Sequence, residues 1–134
     1  MKTSTALIAL AGVVSSIVPV ATAGCYTSGD KYPDTNQAQS YLDGICRDLA
    51  TYYQSSETKN ICRFSGQVGI NFEIQNKNSR NGFSLAYGDC INGLRNEIVG
   101  CSMGGDTTNN VSLWRFRVDP GSVAANDSEY CLAA

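Results

Sequence analysis

The chain has 134 residues, 10 Lys and Arg against 12 Asp and Glu for a formal net charge of −2, six cysteines and no histidine. Without histidine it carries no Ser-His-Asp or Cys-His catalytic set, no His-based ribonuclease chemistry and no His-ligated zinc. Its charges are interspersed, so it lacks the one-sided lysine/arginine excess by which a nucleic-acid binder neutralises phosphates, and nucleic acid is excluded as its main partner.

Lys2, the apolar run from Ala6 to Val20 and the small residues Ala21-Thr22-Ala23 read as a secretory signal peptide over 1–23, cleaved after Ala23. Gly12, Ser15, Ser16 and Pro19 interrupt the run, which falls short of the ~20 unbroken apolar residues of a membrane span. The expectation is no membrane insertion, an extracellular location, and one secreted disulfide-rich domain over 24–134. No cofactor is expected.

Residues 24–33 read as a short strand or extended arm running into a turn. A helix is predicted over 34–54, with Asp34 as N-cap and Gln37 closing a capping box. Its apolar side is Ala38, Tyr41, Leu42, Ile45, Cys46, Leu49, Tyr52 and Tyr53. A loop follows over 55–60. Strict alternation over 67–75 predicts a strand with Val68, Ile70, Phe72 and Ile74 on one face and Gly69, Asn71, Glu73 and Gln75 on the other. The run 76–82 is a polar turn ending in Asn81-Gly82. Ser84 is placed to cap a second helix running to about Val99, with Cys90, Ile91, Leu94, Ile98 and Cys101 as its stripe and Gly88 and Gly93 weakening it. A second strand is predicted over 111–119, with Ser112, Trp114, Phe116 and Val118 sharing one face, closed by the turn Asp119-Pro120-Gly121. The tail reads as irregular until Cys131. The order implies an α+β fold: a small disulfide-braced sandwich of two main helices on a mainly antiparallel sheet.

Cys25, Cys46, Cys62, Cys90, Cys101 and Cys131 all follow the signal, so an oxidising compartment makes them disulfides rather than metal thiolates. Six cysteines allow fifteen pairings. Cys90 with Cys101 is struck out, because on one helix they lie ~16 Å apart, beyond the ~7 Å Cα limit of a disulfide. Cys46 and Cys90 are each expected to tie their helix to another element, and Cys25 and Cys131 to restrain the chain ends.

A secreted chain without histidine points to surface recognition. The ligand-binding candidates are Asn71, Glu73 and Gln75 on one strand, Arg115 and Arg117 on the other, and Tyr26 in the arm. Amides, a carboxylate and guanidinium groups on a rigid sheet suit sugar hydroxyls. The competing account is plain cross-strand charge pairing on a solvated face, at ~0.2–1 kcal/mol per pair. Tyr41, Tyr52, Tyr53 and Trp114 read as core, whereas Tyr26, Tyr32 and Tyr87 read as exposed aromatics able to stack on a ligand. Asn110-Val111-Ser112 and Asn126-Asp127-Ser128 are sequons, making Asn110 and Asn126 N-glycosylation candidates. Carboxylate pairs such as Asp43/Asp48 or Glu73/Asp119 keep open a small glycoside hydrolase, and a secreted effector or toxin binding a host or competitor protein is the other alternative to a carbohydrate-binding, lectin-like, non-enzymatic protein.

Several runs carry a resemblance. They are Cys25-Tyr26-Thr27-Ser28-Gly29 behind the signal, Cys46 in the first helix with Cys62 after it, and 90–98 from Cys90 through Arg95 to Ile98. Cys101-Ser102-Met103-Gly104-Gly105 and Trp114-Arg115-Phe116-Arg117-Val118-Asp119-Pro120 complete them. Together the chain resembles a family of small, cysteine-rich, secreted fungal proteins that includes an ink-cap mushroom glycan-binding protein. The resemblance implies an α/β sandwich and lectin-like recognition of a glycan or glycoprotein at cell or virus surfaces. It assigns no sugar-contacting residue, and this chain departs from the pattern in its longer tail to Cys131.

Overall fold

A computed structural model describes residues 24–107, 113–122 and Cys131. The leader over 1–23, both sequons at Asn110 and Asn126, and the first two residues of the predicted strand over 111–119 lie outside the described residues. The fold mixes helices with antiparallel sheets, and strand is more prominent than helix.

The predicted first helix divides. Asp34 does cap it: its carboxylate accepts from the backbone N–H of Asn36 and Gln37 at 2.9 and 3.2 Å. Gln37 does not close the capping box but accepts from Ser65 Oγ at 2.6 Å. Helix α1 (Thr35–Ser40) ends at Tyr41, where α2 (Leu42–Leu49) begins. The Tyr41 hydroxyl donates to the Phe64 carbonyl at 2.5 Å, which anchors the break. Tyr52 and Tyr53 leave the helix altogether and form β1 (Tyr52–Tyr53). Tyr53 turns inward, its ring edge meeting Trp114 at 5.1 Å between centroids, while Tyr52 stays exposed.

The segment 58–65, unassigned from the sequence, is β2 (Thr58–Ser65). Two residues later the chain returns as β3 (Val68–Asn76), with Gly66 at φ 63° making the tight turn. The short β4 (Phe83–Ser84) pairs with β1, so Ser84 is a strand residue rather than a helix cap. Helix α3 (Tyr87–Gly100) starts from Ala86, which gives no side-chain cap, and Cys101 is its extended C-cap. Two further strands follow, β5 (Gly105–Thr107) and β6 (Trp114–Ser122). The main sheet runs β2-β3-β6-β5, all antiparallel.

The expected turn at Asp119-Pro120-Gly121 is instead the end of β6, paired with Asn71, Ile70 and Gly69. Proline is tolerated there because β5 stops opposite Val118, so the described β6 has an edge on that side.

One face of the sheet is apolar. Ile70, Phe72, Ile74, Phe116 and Val118 pack against Leu42, Ile45 and Leu49 of α2 and Leu94 and Ile98 of α3. Gly93 marks the closest approach, since a Cβ there would overlap the Phe116 ring. The mid-helix glycine that weakens the helix in isolation is what lets it lie against β6.

All six cysteines are paired. Cys46–Cys90 joins α2 to α3 (Cα–Cα 5.8 Å), so the two helix cysteines bond each other. Cys25–Cys101 (5.1 Å) ties the N-terminal arm to the end of α3. Cys62–Cys131 (5.1 Å) ties the tail to β2. Cys90 and Cys101 are not partners.

Candidate binding site

Register follows from the alternation of β3 and β6. Burying Ile74 opposite Phe116 and Phe72 opposite Val118 forces Glu73 opposite Arg117 and Gln75 opposite Arg115 on the other face. Asn71 lies there too, opposite Asp119. The same rule places Asp106 of β5 beside Arg117, and Asn60 and Cys62 of β2 beside Glu73 and Asn71.

The charges form a continuous row. Arg115 forks onto Asp106, with Nε and Nη2 donating to its two oxygens at 2.9 and 2.5 Å, and its Nη1 donates to Glu73 at 3.1 Å. Glu73 also accepts from Arg117 Nη1 at 3.2 Å, and Arg117 Nη2 reaches Asp119 at 2.8 Å. These side chains are only 17–25 % exposed. The two guanidinium groups are therefore held charged. For Arg115 the bond to Asp106 raises the pKa against the pull of burial, with the charges of Asp106 and Glu73 adding to it. For Arg117 burial opposes the charge, and the Tyr26 hydroxyl, Asp119 and Glu73 together outweigh it.

Tyr26 reaches the row from the arm. The bridge between Cys25 and Gly105, with Tyr26 N–H donating to the Gly104 carbonyl at 2.9 Å, extends the sheet beyond β5. The Tyr26 hydroxyl then accepts from Arg117 Nε at 2.9 Å. Burial raises its pKa despite Arg117, so it keeps its proton. Among the described residues nothing accepts that proton.

The structure thus brings together Glu73, Arg115, Arg117 and Tyr26. Gln75 is on the same face but its carboxamide donates to the Ser56 carbonyl at 3.3 Å. Asn71 is not at the solvent: it is 3 % exposed, and its oxygen accepts from Asn60 Nδ2 at 2.9 Å. The Cys62–Cys131 bridge lies on this face directly beside it. Asp106, Asp119 and Asn60 complete the array; Asp119 enters the sequence reading only as a carboxylate paired with Glu73, and Asp106 and Asn60 escape it. Asn60 and Asp106 lie in strands without an alternating pattern, and Asp119 carries a turn signature.

Other candidates fall elsewhere. Tyr32 is buried rather than exposed, its hydroxyl donating to the Glu97 carbonyl at 3.5 Å. Tyr87 is exposed and donates to Asp43 at 2.5 Å, while Asp43 also pairs with Arg47 at 3.0 Å. Glu73 and Asp119 are bridged by Arg117 instead of facing each other across open space. Glu97 is the unforeseen carboxyl. It belongs to α3, is 3 % exposed, and is pushed up to about 7 by burial and the charge of Asp106, against a hydrogen bond from the Thr107 hydroxyl.

No described helix is long and apolar enough to cross a membrane. No protein-family model matches the chain, and no curated protein matches it.

Proposed function

We propose that this chain is a secreted, non-enzymatic, lectin-like protein that binds carbohydrate on the polar face of its main sheet. The observation that carries the reading is the row Asp106–Arg115–Glu73–Arg117–Asp119 with Tyr26 at its side. Guanidinium and carboxylate groups held in one plane by paired strands present fixed donors and acceptors, and Tyr26 adds a hydroxyl proton and an aromatic face. Sugar hydroxyls, which both donate and accept, match such an array. The proposal includes cleavage after Ala23, glycosylation at Asn110 and Asn126, kinship with the small secreted fungal glycan-binding proteins, and a disulfide-braced sandwich in which α2 and α3 are the principal helices. A carboxylate hydrolase is disfavoured because the carboxyl with the raised pKa, Glu97, lies beneath the sheet where a dissolved substrate does not reach it.

The test is a glycan array probed with the mature protein, followed by affinity measurements on Tyr26→Phe and Arg115→Lys. Replacing Arg115 and Arg117 together by alanine is unsuitable, since it leaves Glu73, Asp106 and Asp119 without their counter-charges in a half-buried row. Loss of one site contact is expected to weaken binding roughly tenfold, or about 1.4 kcal/mol. A folded protein that binds no glycan, or a bound glycan indifferent to both variants, overturns the proposal.

A further inference from the structure

Cleavage after Ala23, which belongs to the proposal above, makes Gly24 the first residue of the mature chain. Gly24 is not a loose end. Its carbonyl accepts from Asp106 N–H at 2.9 Å, and the next residue is locked by the Cys25–Cys101 disulfide. A Cβ on Gly24 would overlap the Asp106 backbone carbonyl, so only glycine lies this close to β5.

Glu97 approaches the same place from α3. One carboxyl oxygen, Oε2, accepts from Thr107. The other, Oε1, faces Gly105: a Cβ on Gly105 would stand 2.6 Å from it and 3.0 Å from the Gly24 carbonyl oxygen. Glu97 Oε1 and the Gly24 carbonyl oxygen thus both border the space that a Gly105 side chain would fill, which puts the Gly24 residue beside Glu97, and among the described residues Oε1 has no hydrogen-bond donor. The groups around Glu97 are Thr107 and Asp106 from β5, Tyr32 from the arm and the Cys25–Cys101 bridge. None is cationic, and Arg115, the partner of Asp106, is committed to Asp106 and Glu73 on the polar face of the sheet. A carboxyl buried without a counter-charge is destabilising when ionised.

The geometry points to the α-ammonium of Gly24, released by cleavage after Ala23, as the counter-charge of Glu97, so that maturation of the chain creates a buried ion pair locking its amino terminus to α3 and β5. Before cleavage the Gly24 nitrogen is an uncharged amide and Glu97 holds a proton into the neutral range. After cleavage the terminus, with an ordinary pKa of ~7.7–8.0, is cationic at neutral pH and below.

The experiment expresses the full-length precursor and takes the secreted protein, whose intact mass reports the first residue. Half is acetylated at the α-amine near pH ~6.5, where lysines stay protonated, in urea with the disulfides intact, then refolded. The Glu97 carboxyl is titrated by NMR in both forms. The free form is expected to titrate about two pH units below the acetylated one. In the acetylated form the raised carboxyl stabilises the fold at acid pH, and that stability is lost as pH rises through about 7. In the free form this loss is absent, and in Glu97→Gln acetylation changes nothing. Equal Glu97 titration in both forms overturns the ion pair, as does an acetylation effect undiminished in Glu97→Gln. If the Gln variant does not fold, the titration pair decides alone. A secreted mass that does not begin at Gly24 refutes the cleavage, and with it the maturation step.

Discussion

Replacing Asn76 should be one of the costliest single polar substitutions among the described residues. Its side chain is 0 % exposed. Nδ2 donates to the carbonyls of Gln54 and Asn81 at 3.1 and 3.0 Å and, more weakly, to that of Tyr53 at 3.4 Å. Oδ1 accepts from the Asn78 N–H at 3.0 Å. One carboxamide therefore holds the end of β3, the exit of β1 and the turn over 78–82. Asn76→Ala strands these groups at about 1–3 kcal/mol each where water does not reach them. Because the turn is partly open to solvent, the total is about 3–4 kcal/mol, a large share of the ~5–15 kcal/mol of a small domain. Asn76→Asp is nearly the same shape but turns the donor into an acceptor facing three carbonyl oxygens. Its folded pKa is raised above the unfolded value, so the variant approaches wild type below about pH 4 and falls furthest behind above it. Urea unfolding followed by the fluorescence of Trp114, which packs on Tyr53, measures both. A loss under about 1 kcal/mol for Asn76→Ala, or an Asn76→Asp protein as stable as wild type at pH 7, refutes the reasoning.

Two glycines of α3 separate packing from propensity. Gly93→Ala drives a methyl into the Phe116 ring and should cost about 2–3 kcal/mol by denaturant melt, whereas Gly88→Ala meets nothing within 4 Å and should gain about 0.5–1 kcal/mol. Replacing Cys46 and Cys90 together by alanine opens a loop with a sequence separation of 44, and calorimetry should show a loss of about 4 kcal/mol. A loss under about 1 kcal/mol would mean that helix packing alone aligns α2 with α3.

The alternating strands were legible because burial is one-sided. Ile70, Phe72 and Ile74 face the helices while Glu73 and Gln75 do not, and Arg115 and Arg117 oppose Phe116 and Val118 in the same way. That contrast placed three of the candidate site's charged groups, Glu73, Arg115 and Arg117, and the arm supplies Tyr26. β2 was not legible, because its polar face is partly covered by the Cys62–Cys131 bridge and its other face lies at the sheet margin, so inside and outside do not alternate. The helical spacing that runs on through Tyr52 and Tyr53 failed for a different reason: pairing with Phe83 and Ser84 and the edge-to-face contact of Tyr53 with Trp114 are long-range and outweigh local periodicity. Asp119-Pro120-Gly121 misled likewise, since a turn signature is compatible with a strand wherever one edge has no neighbour.

If the charged row is the binding site proposed above, its internal pairing determines what kind of ligand it accepts. Each guanidinium already serves two carboxylates, and Glu73 serves two guanidinium groups. An anionic ligand must compete with Glu73, Asp106 and Asp119 for the arginines, and a cationic one must compete with the arginines for the carboxylates. Either exchange breaks a partly buried pair. A hydroxyl needs no exchange: it donates to an unused carboxylate lone pair and accepts the Tyr26 proton. Under the proposed function, the row would therefore favour neutral sugars over uronates or other acidic glycans. Binding of a neutral glycan should change less than about twofold between 50 and 500 mM NaCl by calorimetry, because no net charge is neutralised. A fall of about tenfold over that range, or a preference for acidic glycans, would show that ligand charge displaces the internal pairs.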